Sequence, residues 1–224
     1  MQMQNYLRKY DRLSSEDVHL NIPLRKNYML SRIGRGKRVL DVGCSGGKFS
    51  QLIQQQNNEV WGVELNSEAA KAAQERGIRV KLANVEEGLP FEDAYFDIVS
   101  AGEVLEYLYD TKFFFREAYR VLKKGGILVF ATPNLNSLEN RIRVITGSYL
   151  TMVGAYPEDH YGEHVRVFNM SKLKELCEQS GFHLQDVSGV PILSPHGKLI
   201  DHSLGWLGKM LPSFSKLLLG TARK

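Results

Sequence analysis

The 224-residue chain is 43% hydrophobic and 24% charged, which predicts one globular domain long enough to bury a sizeable core. Its net charge of +4, from 29 basic and 25 acidic residues, argues against a dedicated nucleic-acid-binding protein. Cys44 and Cys177 lie far apart, which predicts neither a disulfide framework nor a metal site. The N-terminus lacks the apolar stretch of a signal peptide, and no apolar run is long enough to span a membrane. We therefore expect a soluble cytoplasmic protein.

Short apolar segments alternate with amphipathic segments along most of the chain. A polar N-terminal region, residues 1–37, contains one predicted helix with Pro23 in its first turn. Strands are predicted at 38–42, 60–65, 78–83, 96–101, 127–133, 183–190 and 216–223. Helices are predicted at 48–56, 67–76, 113–122, 171–180 and 197–211, and residues 134–168 interrupt the alternation. This order predicts an α/β fold whose mostly parallel sheet carries helices on both faces and binds ligands at the carboxyl ends of its strands.

A glycine-rich turn follows the first predicted strand, in the stretch RVLDVGCSGGKFSQLI at residues 38–53. The dinucleotide pattern G-x-G-x-x-G would need glycines at 45 and 48, where the chain has Ser45 and Lys48. The phosphate-loop pattern G-x-x-x-x-G-K-[ST] also fails, since its first and last positions are Val42 and Phe49. Neither a nicotinamide dinucleotide nor a nucleoside triphosphate is therefore expected at this turn.

The ordered set of motifs resembles that of the class I S-adenosylmethionine (SAM)-dependent methyltransferases. In "VLDVGCSGG", Asp41, Gly43 and Gly47 match the first motif of the family, and Ser45 replaces its usual middle glycine. The later segments "FDIVSAGEVLEYL", "LKKGGILVFATPN" and "HVRVFNMSKLKELCEQSGF" resemble the family's fourth strand, fifth strand and sixth helix in order and spacing. The resemblance covers residues 38–190. It implies a Rossmann-like seven-stranded sheet whose last strand is antiparallel.

The resemblance also implies SAM as cofactor and S-adenosylhomocysteine as product. Glu64 would accept the ribose hydroxyls, Asn84 would contact the adenine amino group, and Val85 would pack beside the ring. The complete set of cofactor-contacting positions is Asp41, Gly43, Cys44, Ser45, Gly47, Glu64, Leu65, Asn84, Val85, Ala101 and Glu103. Simpler alternatives stay open: Asp41 could cap the next helix, Glu64 could be a solvated strand end, and Asn84 could be a turn residue.

Methyl transfer from a sulfonium is an in-line displacement that needs orientation and no covalent intermediate. A general base is required only where the acceptor must lose a proton early, as a hydroxyl must. Glu103, Glu106 and Tyr107 follow the fourth strand, where the family's substrate faces the methyl group. His160 and His164 lie just before the sixth helix and could accept a hydroxyl proton, although exposed or structural roles are the alternative for both.

The methyl acceptor should be recognised by the irregular segments, since loops on a rigid scaffold carry specificity. The insertion at 134–168 contains four aromatic and three arginine side chains, which suits a polar, ring-containing or anionic acceptor. It resembles the same region of small-molecule and of glycan- or lipid-associated methyltransferases more than that of nucleic-acid enzymes. "ATPN" at 131–134 also departs from the N-P-P-[YF] pattern, which argues against methylation of nucleic-acid bases.

The sequence thus predicts a single methyltransferase domain over residues 1–224, with an N-terminal helical cap at 1–37 and a substrate-side insertion at 134–168. It would methylate a small-molecule, glycan-linked or lipid-linked acceptor as a monomer or homodimer. The segment 197–214 favours a helix packed on the sheet, but it could also lie on a membrane surface or a partner helix. The alternatives are a SAM-binding protein without transferase activity and a nicotinamide-dependent oxidoreductase.

Overall fold

The computed structural model describes residues 23–150, 164–190 and 205–224. Its helices are α1 (Pro23–Ile33), α2 (Lys48–Gln54), α3 (Ser67–Glu75), α4 (Thr111–Val121), α5 (Leu138–Ile145), α6 (Met170–Gln179) and α7 (Gly205–Met210). Its strands are β1 (Arg38–Val42), β2 (Glu59–Glu64), β3 (Arg79–Leu82), β4 (Phe96–Gly102), β5 (Leu122–Pro133), β6 (His183–Val190) and β7 (Leu217–Arg223). Single 3₁₀ turns cover Val85–Glu87, Leu105–Tyr107 and Pro212–Phe214.

The seven strands form one sheet in the order β3-β2-β1-β4-β5-β7-β6. Strands β1 to β5 are parallel, and β7 runs antiparallel between β5 and β6. The order reverses at β1, where β2 lies on one side and β4 on the other, so a crevice opens at their carboxyl ends. The predicted Rossmann-like fold with an antiparallel last strand is confirmed.

Apolar side chains cover both faces of the sheet, as a parallel sheet requires. One core lies under α1, α2 and α3 and includes Met29, Ile33 and Ile53. The other lies under α4 and α6 and includes Phe115 and Cys177. The first three helices therefore cover one face and α4 and α6 cover the other, and the strand ends at one edge stay open to a ligand.

Helix α1, which lies in the segment predicted to be an N-terminal cap, is bound to the antiparallel end of the sheet. The hydroxyl of Tyr28 lies 3.1 Å from that of Thr221 on β7 and donates to Asp186 on β6 at 3.2 Å. Arg32 forms an ion pair with the same Asp186. These contacts fix α1 against a face of the sheet, from which its N-terminal turn reaches the carboxyl edge.

Two predicted elements differ from the structure. Strand β5 begins at Leu122, five residues before the predicted start, because Leu122 pairs with Phe96 ahead of an irregularity in the β4–β5 ladder. The insertion, expected to be irregular, contains helix α5, whose Ser137 cap accepts the N–H of Asn140 at 3.3 Å. Of the helix predicted at 197–211, residues 197–204 lie outside the described residues.

Candidate cofactor and acceptor site

The glycine-rich turn bends back on itself between β1 and α2. Gly43, Ser45 and Gly47 have φ angles of 64°, 47° and 79°, a left-handed conformation that favours glycine. A side chain at position 43 would also meet Val104 at 2.8 Å. Ser45 adopts the same left-handed conformation, which glycine tolerates best. This explains why the family that the sequence resembles usually has glycine at this position. The turn thus leaves backbone, with few side chains, at the edge where a ligand would approach.

Glu64, at the end of β2, organises this turn. Its carboxylate accepts three backbone N–H groups, from Ser45 at 2.8 Å and from Leu65 and Asn66 at 2.9 Å each. Its exposure is only 3%, so the alternative of a solvated strand end is wrong. Burial raises the pKa of Glu64 above its ordinary value, and the three N–H donors oppose part of that rise.

Asp41 is buried beneath the same turn and accepts the hydroxyl of Ser50 at 2.6 Å. Burial raises its pKa to about 6, because the charged form loses its hydration. Asp41 does not cap α2, since Gly47 occupies the N-cap position without a side-chain hydrogen bond. A cationic ligand nearby would stabilise the ionised form of Asp41 further, which makes this edge of the sheet suited to positive charge.

Asn84 follows β3 and caps the 3₁₀ turn at Val85–Glu87. Its carbonyl oxygen accepts the N–H of Glu86 at 3.1 Å, and its amide donates to Glu87 at 3.1 Å. In this structure the side chain has the role of a turn residue, and its contact with adenine stays a prediction. Val85 is partly buried against the core beside it.

Three other positions predicted to contact the cofactor differ in how far their side chains are exposed. The Cys44 side chain packs into the core, where its sulfur lies 2.5 Å from the place that a Cβ at Gly62 would take. Burial raises the pKa of the Cys44 thiol, so this residue offers a ligand its backbone and no nucleophile. Leu65 is partly exposed at the edge, whereas Ala101 is fully buried in β4.

A buried ion pair lies at the carboxyl edge of the sheet, directly after β4. Glu103 has a positive φ of 58°, and its carboxylate lies 2.7 Å from Arg25 of α1. Arg25 was not among the predicted site residues, although its position in the sequence carries a signal. Arg25, Met29 and Ile33 are spaced by four residues, so the arginine lies on the buried stripe of the helix, where a lone charge needs a partner.

Glu106 is buried in the 3₁₀ turn after β4, where it accepts the hydroxyl of Thr132 at 3.1 Å. Burial, and secondly the charge of Glu103, raise its pKa well above the ordinary range. Its backbone carbonyl accepts the N–H groups of Val165 and Arg166 at 2.9 and 3.1 Å. These two hydrogen bonds hold the end of the insertion, at Val165 and Arg166, against the carboxyl edge of the sheet.

That returning chain places His164 against Tyr107. The Nε2 of His164 lies 3.3 Å from the Tyr107 hydroxyl, and the two rings meet edge to face at 5.0 Å. The structure thus brings together two predicted catalytic candidates that are 57 residues apart in the chain. Glu103 lies beside Arg25 as described, and His160, another predicted candidate, lies outside the described residues.

A family model described as a methyltransferase domain matches residues 40–130. A ubiquinone biosynthesis O-methyltransferase of Xylella fastidiosa is 30% identical over an alignment of 180 residues, which covers 77% of this chain and 72% of that protein. A SAM-dependent methyltransferase of Thermotoga maritima superposes with a TM-score of 0.71 at 20% identity, over 98% of this chain and 97% of its own. The 1,6-didemethyltoxoflavin-N1-methyltransferase of Burkholderia thailandensis, solved with S-adenosylhomocysteine, superposes with a TM-score of 0.67 at 20% identity. The superposition covers 100% of this chain and 89% of that one. With the fold and the strand-edge site, this similarity shows that the chain belongs to the class I SAM-dependent methyltransferases.

Proposed function

We propose that this methyltransferase binds SAM across the carboxyl ends of β1 to β4 and methylates an oxygen of a small organic acceptor held beside Tyr107 and His164. The hydrogen-bonded Tyr107–His164 pair, next to the end of β4, is the observation that carries the proposal. The relative from Xylella fastidiosa, whose name specifies O-methylation, supports oxygen as the acceptor atom. The acceptor is either free or linked to a glycan or lipid.

The chain's own residues fit the cofactor. The sheet order β3-β2-β1-β4 sets Asn84, Glu64, the glycine turn and Glu103 side by side along one edge. The buried carboxylates of Glu64 and Asp41 suit ribose hydroxyls and a positively charged group, respectively. When bound, SAM supplies a methyl carbon on a sulfonium, and its displacement leaves S-adenosylhomocysteine.

His164 is the proposed proton acceptor for the reacting hydroxyl. Imidazole titrates near neutral pH and can take a proton as the acceptor oxygen becomes a nucleophile. Tyr107 orients the ring through its 3.3 Å contact with Nε2. Glu106, buried and hydrogen-bonded to Thr132, holds in place the 3₁₀ turn that carries Tyr107.

We expect His164→Gln to lower methyl transfer to a hydroxyl acceptor by about 10²- to 10⁴-fold, since a positioned base contributes that much. Transfer would be measured with labelled SAM against a panel of phenols, catechols, sugar-linked and lipid-linked alcohols, and primary amines. SAM affinity should stay unchanged, because His164 lies on the acceptor side. His183→Gln is the matched control, since His183 is exposed at the start of β6.

Several outcomes separate the alternatives. Full activity in His164→Gln on a hydroxyl acceptor would rule out this residue as the base. Methylation of amines alone would contradict the choice of oxygen. SAM binding with no transfer to any member of the panel would favour a protein that binds the cofactor without transferring its methyl group.

A further inference from the structure

Helix α5 of the insertion has its apolar side chains on the outside. Its one buried residue is the polar Asn140, which is 1% exposed and donates to the carbonyl of Leu135 at 3.0 Å. Ile142, Val144 and Ile145 are all exposed, Ile145 by 85%. A helix on the surface of a globular protein normally turns such side chains towards the core. The reversed arrangement indicates that this face of α5 contacts something other than the body of the domain.

The exposed surface of α5 continues onto the chain between β6 and β7. The guanidinium of Arg141 lies over the ring of Phe214, 4.5 Å from its centroid. Trp206 and Met210 of α7 are also exposed, Met210 by 69%. The apolar face is therefore defined by six side chains: Ile142, Val144, Ile145, Trp206, Met210 and Phe214. The turn Pro212–Phe214 contacts both α5 and α7, which brings these side chains to one region of the surface, and an exposed apolar patch of this kind marks an interaction site.

The position of the apolar face is fixed relative to the site. The side chain of Asn134, directly after β5, donates to the carbonyls of Ser213 and Ser215 at 3.0 and 2.7 Å. The backbone N–H of Leu135 donates to Phe168 at 2.8 Å, on the chain that returns past His164. The apolar face thus adjoins the carboxyl edge of β5, on the acceptor side of the sheet.

The segments that carry the apolar face are basic on balance. The segments 137–149 and 205–214 contain Arg141, Arg143 and Lys209 but a single acidic residue, Glu139, which is bound to Arg143 at 3.2 Å. Apolar and aromatic side chains flanked by Arg and Lys suit the boundary of an anionic bilayer. A two-fold contact between copies of this face would instead bring like charges together, which disfavours self-association.

We propose that the apolar face docks the enzyme onto an anionic lipid surface, with Ile142, Ile145, Trp206 and Met210 entering the interface and Arg141 and Lys209 facing the headgroups. Among the described residues, no helix is long and apolar enough to cross a membrane. The contact is therefore peripheral. It does not depend on the identity of the acceptor, and it goes beyond the proposed methyl transfer.

The test is co-sedimentation of the full chain with phosphatidylcholine vesicles, with and without phosphatidylserine. We expect binding to the anionic vesicles that weakens as salt is added, because the headgroup attraction is screened. The double variant Ile142→Ser/Ile145→Ser should lower the partition coefficient by about tenfold or more, since two apolar side chains leave the interface. Arg141→Gln/Lys209→Gln should selectively lower binding to the anionic vesicles.

Leu82→Ser is the matched control, because Leu82 is an exposed apolar residue on β3, at the opposite end of the sheet from β7 and β6. All variants change exposed side chains, so their melting temperatures should match that of the wild type. Failure of the wild type to bind anionic vesicles, or equal binding to neutral ones, would overturn the proposal. So would a dimer in analytical ultracentrifugation that Ile142→Ser/Ile145→Ser dissociates, since the face would then be an interface between copies.

Discussion

Glu64→Ala is expected to raise the dissociation constant for SAM by about 5- to 150-fold, measured by isothermal titration calorimetry. A buried, charge-assisted contact with ribose hydroxyls is worth about 1–3 kcal/mol, which corresponds to that range. The substitution also removes the acceptor of three backbone N–H groups, from Ser45, Leu65 and Asn66. Loss of those bonds should loosen the glycine turn and add to the loss of affinity.

Glu59→Ala is the matched control, because Glu59 begins the same strand at its opposite end. Its carboxylate is exposed and paired at 3.0 Å with both Arg38 and Arg79. Exposed pairs contribute little, so both affinity and melting temperature should change only slightly. A Glu64→Ala variant that melts earlier yet binds SAM with wild-type affinity would restrict Glu64 to a structural role.

Gly47→Ala is expected to destabilise the fold by about 2–5 kcal/mol and to abolish detectable SAM binding at the wild-type working concentration. The left-handed φ of 79° costs an alanine about 1–2 kcal/mol. Its Cβ would also lie 2.8 Å from the Cβ and 2.9 Å from the Cα of Ala73 in α3, and overpacking adds about 1–3 kcal/mol. Thermal unfolding measures the first effect and calorimetry the second.

The variant Gly77→Ala separates the cost of a left-handed backbone from the cost of a steric clash. Gly77 has nearly the same φ, 81°, but a Cβ there would meet no atom within 4 Å. We therefore expect only the backbone cost, a melting temperature lower by about 2–8 °C at 2–4 °C per kcal/mol. Equal melting temperatures for the two variants would contradict the close packing of the turn on α3.

The sheet was predictable because its strands are short apolar segments at regular intervals, with turn residues between them. β1 and β6 begin and end where predicted, at 38–42 and 183–190, because apolar runs and glycines mark their limits. The start of β5 was not predictable, since the pairing of Leu122 with Phe96 depends on the neighbouring strand. Helix α5 was not predicted because its apolar residues face outward. A helix is recognised in a sequence by apolar residues spaced to face the core, and α5 lacks that pattern.

The site was predictable in position but only partly in its contacts. Strand order alone places Glu64 and the glycine turn together, because both follow neighbouring parallel strands. That Glu64 would accept the N–H of Ser45 in the turn depends on the positive φ of Ser45, which sequence does not reveal. The Tyr107–His164 contact joins residues 57 positions apart, and only the fold of the insertion brings them together.

The most direct test of the cofactor assignment is calorimetric titration of the full chain with SAM, S-adenosylhomocysteine and NAD. The strand-edge site predicts saturable one-to-one binding of SAM and S-adenosylhomocysteine and no heat of binding with NAD, since the turn lacks the dinucleotide glycines at positions 45 and 48. Binding of NAD without binding of SAM would contradict the assignment and favour a nicotinamide-dependent enzyme.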